Sequence, residues 1–274
     1  MDFKDIDIGE LGRNIFAKIL KSTATRGSNN DVMQECIYKN IKFKDDSFPP
    51  TKESLINDWN DQSDDIQEKV EPWAEFTWIR ADEIEELNDD EGKLKIFAGD
   101  ISPQDIQQGM LGDCYFLSVL SVLTENPMRI KKLFGMTERN DQGIWTVEFY
   151  KNGEHQEIVL DDYIPCSDGA PCFSKANGNE LWVIILEKAW AKLHGSYERI
   201  EAGFAHEVMR DLTGAPSFDV DCDEEGLFDK VLAYDKKGYM MAASAGSAEA
   251  AADALEELGL VAQHSYGLLA AVEI

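Results

Sequence analysis

The stretch that decides the fold is Gln108-Gly-Met-Leu-Gly-Asp-Cys114-Tyr-Phe-Leu, in which a thiol begins an almost wholly apolar run. The two glycines and the aspartate before the thiol favour a turn that leads into a helix. A helix N-terminus carries partial positive charge and free N–H groups, so it stabilises a thiolate. A turn also brings the side-chain amide of Gln108 back toward the sulfur. The segment therefore indicates a nucleophile at Cys114 with an oxyanion donor at Gln108; the plainer alternative is a buried, apolar cysteine.

The strongest secondary-structure signals lie around and after this thiol. Residues 114–123 are apolar on all sides, which predicts a buried central helix with Asp113 as its N-cap. A second helix with a wide apolar face is predicted over 180–193, and a glycine directly after His194 ends it. Between the two helices, alternating apolar residues on either side of Asn152-Gly153 predict a β-hairpin.

Weaker patterns predict the elements on either side of this centre. Apolar spacing over residues 6–21 predicts an amphipathic helix, and Ser102-Pro103 predicts a helix start. Residues 226–236 are typical of a helix, residues 239–243 of a strand, and residues 259–274 of a strand or hairpin.

Composition limits the classes of partner. The chain has 274 residues, of which 43% are hydrophobic, enough for a sizeable core in one large domain or two smaller ones. Its 53 acidic against 26 basic residues give a net charge of −27, so nucleic acid and anionic membranes are disfavoured as partners. Such a charge attracts cations, among which calcium, with its preference for several oxygen ligands, fits best. The alternative is that these acids only keep the protein soluble.

Cysteine usage and the absence of targeting signals predict the compartment. The five cysteines include no Cys-x-x-Cys pair, so neither a zinc ribbon nor a dense disulfide framework is indicated. The first residues have no basic region followed by an apolar one, and no apolar run is long enough to span a bilayer. We therefore expect a cytoplasmic, intracellular protein without a transmembrane segment.

A cysteine nucleophile needs an imidazole, and the chain has four candidates. His155 lies in a polar hairpin arm and is expected to be exposed. His194 is explained by its place at a helix C-terminus, and His206 by surface or packing contacts. His264 stands in an otherwise apolar predicted strand far downstream of Cys114, which favours it as the partner, although a hydrogen-bonded core histidine is the alternative.

Six motifs in the same order resemble the protease core of the calpains, the calcium-activated intracellular cysteine proteases. The resemblance runs from about residue 45 to 270. The motifs are the Phe-Pro and Ser-Leu lead-in at Asp45–Leu55, Trp78-Ile-Arg80 to Ile84, the Gln108–Leu117 thiol segment, Val159–Pro165, Glu180–Glu198, and the histidine segment Gly259–Tyr266.

The resemblance implies an α+β fold of the papain type. It predicts a mainly helical first subdomain over residues 45–210 and the start of an antiparallel β second subdomain over 211–274. Residues 1–44 lie outside the resemblance and have no functional interpretation. In such a fold the active site lies in the cleft between the two halves.

The resemblance also implies roles for matching residues. Cys114 would be the nucleophile, Gln108 the oxyanion donor, and His264 the general base and then the general acid. The implied substrates are extended or disordered segments of intracellular proteins.

A regulatory calcium site in the first subdomain is implied as well. Its carboxylates would be Asp105 and Glu180, and backbone carbonyls near Ala98 and Asp100 would complete it. Oxygen ligands from separate loops suit calcium. Without the resemblance, both acids are explained as carboxylates stabilised by helix N-termini.

Two features depart from the family pattern. The family has tryptophan after the nucleophile, where this chain has Tyr115. The chain also ends at Ile274, ten residues after His264 and before the expected position of the Asn-Pro-Trp motif that supplies the third catalytic residue. We therefore expect either a piece of a longer protease or a short form with little activity.

Three hypotheses follow. The first is a calcium-dependent cysteine endopeptidase. The second is a non-catalytic calpain-like module that binds calcium or another protein, inactive because the Asn-Pro-Trp region is missing. The third is an acidic interaction protein in which the motifs serve packing only.

Overall fold

The structure is a computed structural model that describes residues 29–57, 67, 70–88, 94–175, 177–246 and 254–273. The helix predicted over residues 6–21 lies outside the described residues. The α-helices with both ends described are α1 Asn29–Lys39, α2 Lys52–Leu55, α3 Cys114–Leu123, α4 Pro127–Lys131, α5 Trp182–His194, α6 Ala205–Thr213 and α7 Leu227–Lys236. The strands are β1 Thr77–Arg80, β2 Ile144–Lys151, β3 Glu154–Asp161, β4 Tyr163–Ser167, β5 Ala170–Pro171, β6 Met241–Ser244 and β7 Ser265–Leu268.

The strands form antiparallel sheets. In the described part of the chain these are a three-stranded sheet in the order β1-β4-β5 and two hairpin-like pairs, β2-β3 and β6-β7. The β2-β3 turn contains Asn152 at φ 54° and Gly153 at φ 80°, the left-handed conformations that a two-residue turn needs. The predicted hairpin at this position is therefore confirmed, and so is a strand within the segment 259–274.

Helix α3 is the centre of the core. Phe116, Val119 and Leu120 have no exposed surface. Trp190 of α5 stacks on Phe116 with ring centroids 5.4 Å apart. Each large apolar side chain contributes roughly 1.5–3 kcal/mol when fully buried, so the burial of these residues stabilises the fold. The two strongest helix predictions are confirmed, with α5 beginning at Trp182.

The second helix ends as its sequence predicts. Gly195 follows His194 with a φ of 107°, a left-handed conformation that glycine adopts without steric strain. The start predicted at Ser102-Pro103 differs in type, because it is a single 3-10 turn over Pro103–Asp105 rather than an α-helix.

Buried ion pairs join the sequence motifs to one another. Arg80, at the end of β1, pairs with Asp162, which follows β3. Lys188 of α5 pairs with the neighbouring Asp161 and also donates to the carbonyl of Tyr163 at 2.7 Å. Three motifs that are distant in the sequence therefore meet at one place, where opposite buried charges are paired.

The architecture mixes helices with antiparallel sheets, as an α+β fold requires. The main hydrophobic cluster runs from Phe48 to Leu212. The segment 45–210 holds β1 to β5 beside its helices. The subdomain boundaries placed at residues 45 and 211 stay a prediction.

Among the described residues, no helix is both long and apolar enough to cross a membrane.

Candidate active site

Cys114 is the first residue of α3 and is half-buried. The loop before it is pressed against residues 172–173. The amide of Met110 donates to the carbonyl of Cys172 at 3.0 Å. A Cβ at Gly109 would lie 1.9 Å from the carbonyl oxygen of Phe173, so no other residue fits there without moving the backbone. The glycine after Gln108 thus allows the close approach that fixes the thiol loop.

The other side of the loop is held by the segment after α5. The amide of Gly112 donates to Oε2 of Glu201 at 2.8 Å, and the carbonyl of Gly112 accepts from the amide of Ala202 at 2.9 Å. A Cβ at Gly203 would lie 2.5 Å from the ring of Tyr115. The loop is therefore held from two sides, and the role of Glu201 in holding it was not predicted from the sequence.

Gln108 folds back over the loop as expected. Its Nε2 donates to the carbonyl of Leu111 at 2.8 Å, and the residue is exposed. Because a primary amide carries two hydrogens, the second can donate to a substrate oxygen. This geometry suits an oxyanion donor, and the role itself stays a prediction.

The strand that follows His264 packs along the nucleophile helix. Ser265 Oγ lies 3.0 Å from Ser118 Oγ, one helical turn after Cys114. Two residues further along the strand, a Cβ at Gly267 would lie 2.9 Å from the carbonyl of Ser118, close also to the next turn of α3. The strand therefore runs along α3 toward its C-terminus, and His264 lies at the end nearer Cys114.

The two predicted catalytic residues are brought to the same region without a direct bond. Among the residues that the structure describes, no hydrogen bond joins the Cys114 thiol to the His264 ring. The His264 ring instead meets the ring of Tyr266 edge to face, with centroids 4.9 Å apart. The catalytic roles of Cys114 and His264 remain predictions.

The other three histidines have local partners. His155 is exposed and lies 3.2 Å from the carboxylate of Glu148. The Nδ1 atom of His194 lies 2.9 Å from the carbonyl of Trp190, and burial lowers the pKa of His194. His206 lies within 2.8 Å of an exposed aspartate. These contacts agree with the surface and packing explanations.

The capping prediction for Asp113 is wrong. Asp113 occupies the N-cap position, but its side chain accepts no hydrogen bond from the helix N-terminus and is fully buried. Its carboxyl group instead contacts that of Glu187 in α5, which is also buried. Burial, and then the neighbouring charge of Glu187, raise the pKa of Asp113 well above its ordinary value. The signal that could have revealed this pair is Glu187 itself, a carboxylate within the apolar stretch of α5.

The predicted calcium carboxylates flank one loop, residues 98–105. Glu180 is buried, and its Oε1 accepts from the amides of Ala98 at 2.6 Å and Gly99 at 2.9 Å. Asp105 Oδ2 accepts from the amide of Ser102 at 2.8 Å. Both acids therefore hold the backbone of the same loop from opposite ends.

The donor set of this loop fits calcium. Two carboxylates and the backbone carbonyl oxygens of the exposed residues Ala98 and Asp100 are hard oxygen ligands, which calcium prefers. Within the described ranges, no group of three or more histidine, cysteine, aspartate or glutamate side chains could hold a metal ion, so carbonyl oxygens must complete any site. To bind an ion, Glu180 Oε1 would exchange its amide hydrogen bonds for the metal.

A buried helix that begins at a cysteine, with a strand packed along it directly after a histidine, is the architecture of a papain-like cysteine protease domain. The family model described as "Calpain family cysteine protease" matches residues 43–274. The chain belongs to the calpain family of cysteine proteases.

Curated relatives agree with this assignment. The chain is similar to the calpain-type cysteine protease DEK1 of Arabidopsis thaliana, with 34% identity over 98% of this chain and 12% of the relative. It is 37% identical to the calpain-type cysteine protease ADL1 of Oryza sativa subsp. japonica, over 85% of this chain and 11% of the relative. Calpain-5 of Caenorhabditis elegans is 31% identical, over 87% of this chain and 37% of the relative. The chain thus spans little more than a third of these relatives at most.

Proposed function

We propose that this chain is a calcium-dependent cysteine endopeptidase core that cleaves extended or disordered segments of cytoplasmic proteins. One observation carries the proposal: the strand after His264 packs along the helix that Cys114 begins, through the Ser118–Ser265 contact of 3.0 Å. Membership of a cysteine protease family supports protein substrates.

In the proposed mechanism, His264 takes the proton of the Cys114 thiol, and the thiolate attacks the carbonyl carbon of the scissile peptide bond. The oxyanion accepts hydrogen bonds from the free Nε2 hydrogen of Gln108 and from the backbone N–H of Cys114 at the helix N-terminus. His264 then gives its proton to the leaving amine, and the C–N bond breaks.

The remaining thioester is hydrolysed by the same groups. His264 takes a proton from water, the hydroxide attacks the acyl carbon, and the thiolate leaves. The product is a carboxylic acid, and the free enzyme returns with the proton on the dyad. Fixing the Cys114 loop from two sides keeps the sulfur in line with the substrate carbonyl during both steps.

Calcium is proposed to bind the 98–105 loop through Asp105, Glu180 and backbone carbonyls near Ala98 and Asp100. When bound, it supplies positive charge that two carboxylates and several carbonyls can share. Gln108 follows the end of this loop by three residues, so an ion that orders the loop backbone would also order the oxyanion donor.

The proposal is tested by cleavage of an unstructured protein in millimolar calcium. Cys114→Ser should abolish cleavage and leave the melting temperature within a few degrees, because the substitution is nearly isosteric. Cys222→Ser is the matched control, since Cys222 is an exposed thiol remote from α3 in sequence, and should cleave like the wild type. Unchanged cleavage by Cys114→Ser would contradict the proposal.

A second function is supported by the absence of a bond between Cys114 and His264 among the described residues. It is a non-catalytic calpain-like module that binds calcium or another protein. This alternative predicts that calcium raises the melting temperature while no cleavage occurs under any calcium concentration.

A further inference from the structure

Two buried carboxyl groups, those of Asp113 and Glu187, lie next to each other at the start of α3. Asp113, which precedes Cys114, has no exposed surface, and Glu187 of α5 is 1% exposed. The two carboxyl groups are neighbours that interact electrostatically, and both oxygens of Asp113 are buried without a hydrogen-bond donor among the described residues. Both lie on elements that form the core, so water does not solvate either group.

Within the described residues, only one member of the pair receives hydrogen bonds from its surroundings. Both oxygens of Glu187 accept from the amide of Ser174, at 3.0 and 3.2 Å. Neither oxygen of Asp113 has an N–H or O–H donor in the described part of the chain. Two carboxylates only accept hydrogen bonds, so their contact becomes a bond only when one of them is protonated.

In the part of the chain that the structure describes, no positive charge pairs with either acid. Among the described residues, no lysine, arginine or histidine lies within ion-pair distance of Asp113 or Glu187. The other titratable groups that face the pair carry thiol or hydroxyl side chains: Cys114 and Tyr115 on α3, Cys172 after β5, and Tyr197 after α5. A second buried negative charge would therefore be uncompensated.

We propose that Asp113 and Glu187 share one proton and that this acid pair is a positioning element for Cys114. The hydrogen bond ties the residue before the nucleophile to α5, whose Trp190 stacks on Phe116 of α3. The shared proton also leaves the pair with one negative charge instead of two. A second negative charge near the sulfur would disfavour the thiolate. The inference rests on the proposed function for the role of Cys114, whereas the shared proton stands without it.

The shared proton is tested by infrared spectroscopy of the whole chain at neutral pH in millimolar calcium. The wild type should show the C=O stretching band of a protonated carboxyl group, and Glu187→Gln and Asp113→Asn should each remove it. Glu148→Gln, at a half-buried acid on β2 whose side chain is 41% exposed, is the matched control and should keep the band. A wild type without a band that these two variants remove would overturn the shared proton.

The positioning role is tested by comparing two substitutions of Glu187 in peptide cleavage. In Glu187→Gln, the amide oxygen can still accept from Ser174 while Nε2 donates to Asp113. In Glu187→Ala, Asp113 is left without a partner. We expect Glu187→Ala to lower kcat about 100-fold with little change in KM, as misplacement of a reacting group by about 1 Å would, and Glu187→Gln to retain at least about tenfold more kcat than Glu187→Ala.

If Glu187→Ala does not fold, the same comparison is made at Asp113. The kcat of Asp113→Leu, which leaves Glu187 without a partner, is then compared with that of Asp113→Asn. Equal kcat for the two members of a comparison, or a loss confined to KM, would overturn the positioning role. A wild type that shows the band but cleaves nothing would support the shared proton and overturn the proposed function instead, so the two failures are distinguishable.

Discussion

At the scale of single residues, Tyr115 shows how a departure from the family pattern is accommodated. Its hydroxyl accepts from Trp190 Nε1 at 3.1 Å and donates to the carbonyl of Ile200 at 3.2 Å. These two bonds tie the start of α3 to α5 and to the turn after it. A tyrosine therefore reaches two polar groups that would otherwise be buried without partners.

Removing this hydroxyl should destabilise the fold measurably. In Tyr115→Phe, the indole N–H of Trp190 and the carbonyl of Ile200 lose their shared partner, which costs about 1–3 kcal/mol in the free energy of unfolding. Urea unfolding measures the loss. Tyr38→Phe, at an exposed tyrosine of α1, is the control and should change stability by less than about 0.5 kcal/mol. Equal stabilities for the two variants would contradict the assigned role of the hydroxyl.

At the scale of elements, the junction of α3 and α5 should respond to pH through the Asp113–Glu187 pair. Burial raises the pKa of both carboxyl groups. A raised pKa means that the folded state holds protons more tightly than the unfolded chain. The stabilisation is full below the ordinary carboxyl pKa of about 4 and is lost as pH rises toward and through the raised values.

We therefore expect the free energy of unfolding to fall more steeply with rising pH in the wild type than in Glu187→Gln. The difference should approach about 1.4 kcal/mol per pH unit for each proton that the variant no longer binds. Urea titrations from about pH 5 to 8 measure it. Glu148→Gln should follow the wild type, and parallel profiles for wild type and Glu187→Gln would refute this pH dependence.

The 98–105 loop is the element that should respond to calcium. If Asp105 and Glu180 hold the ion, calcium at about 100 times its dissociation constant should stabilise the fold by about 2.7 kcal/mol. Asp105→Ala and Glu180→Gln should each lose most of this gain, and Glu256→Gln, at an exposed acid in the second half, should keep it. Differential scanning calorimetry with calcium and with magnesium measures the effect. A gain that survives Asp105→Ala would place the ion elsewhere.

At the scale of the whole molecule, the sequence predicts what depends on neighbours in the chain. The all-round apolar run gives the buried helix α3, Asn152-Gly153 gives the turn between β2 and β3, and Gly195 gives the end of α5. Each of these signals acts within a few residues, so its structural result can be read locally.

The features that were not predicted depend on contacts between residues far apart in the sequence. Asp113 has the pattern of a helix cap, yet its side chain is fully buried beside Glu187 of α5. Glu201 looks like one more surface acid, yet it accepts the amide of Gly112. Local patterns cannot distinguish these outcomes, since the partner is brought close only by packing of the whole core.

The central claim is that His264 and Cys114 work as a pair, and it is tested most directly by alkylation. The chain carries its own reference thiol, because Cys222 is exposed. At about pH 6, an ordinary thiol is almost entirely protonated and reacts slowly with iodoacetamide, whereas a thiolate reacts fast. Peptide masses report the two rates in one sample with millimolar calcium. We predict that Cys114 reacts at least about 100-fold faster than Cys222 and that His264→Ala removes the difference. Equal rates for the two thiols in the wild type would contradict the claim.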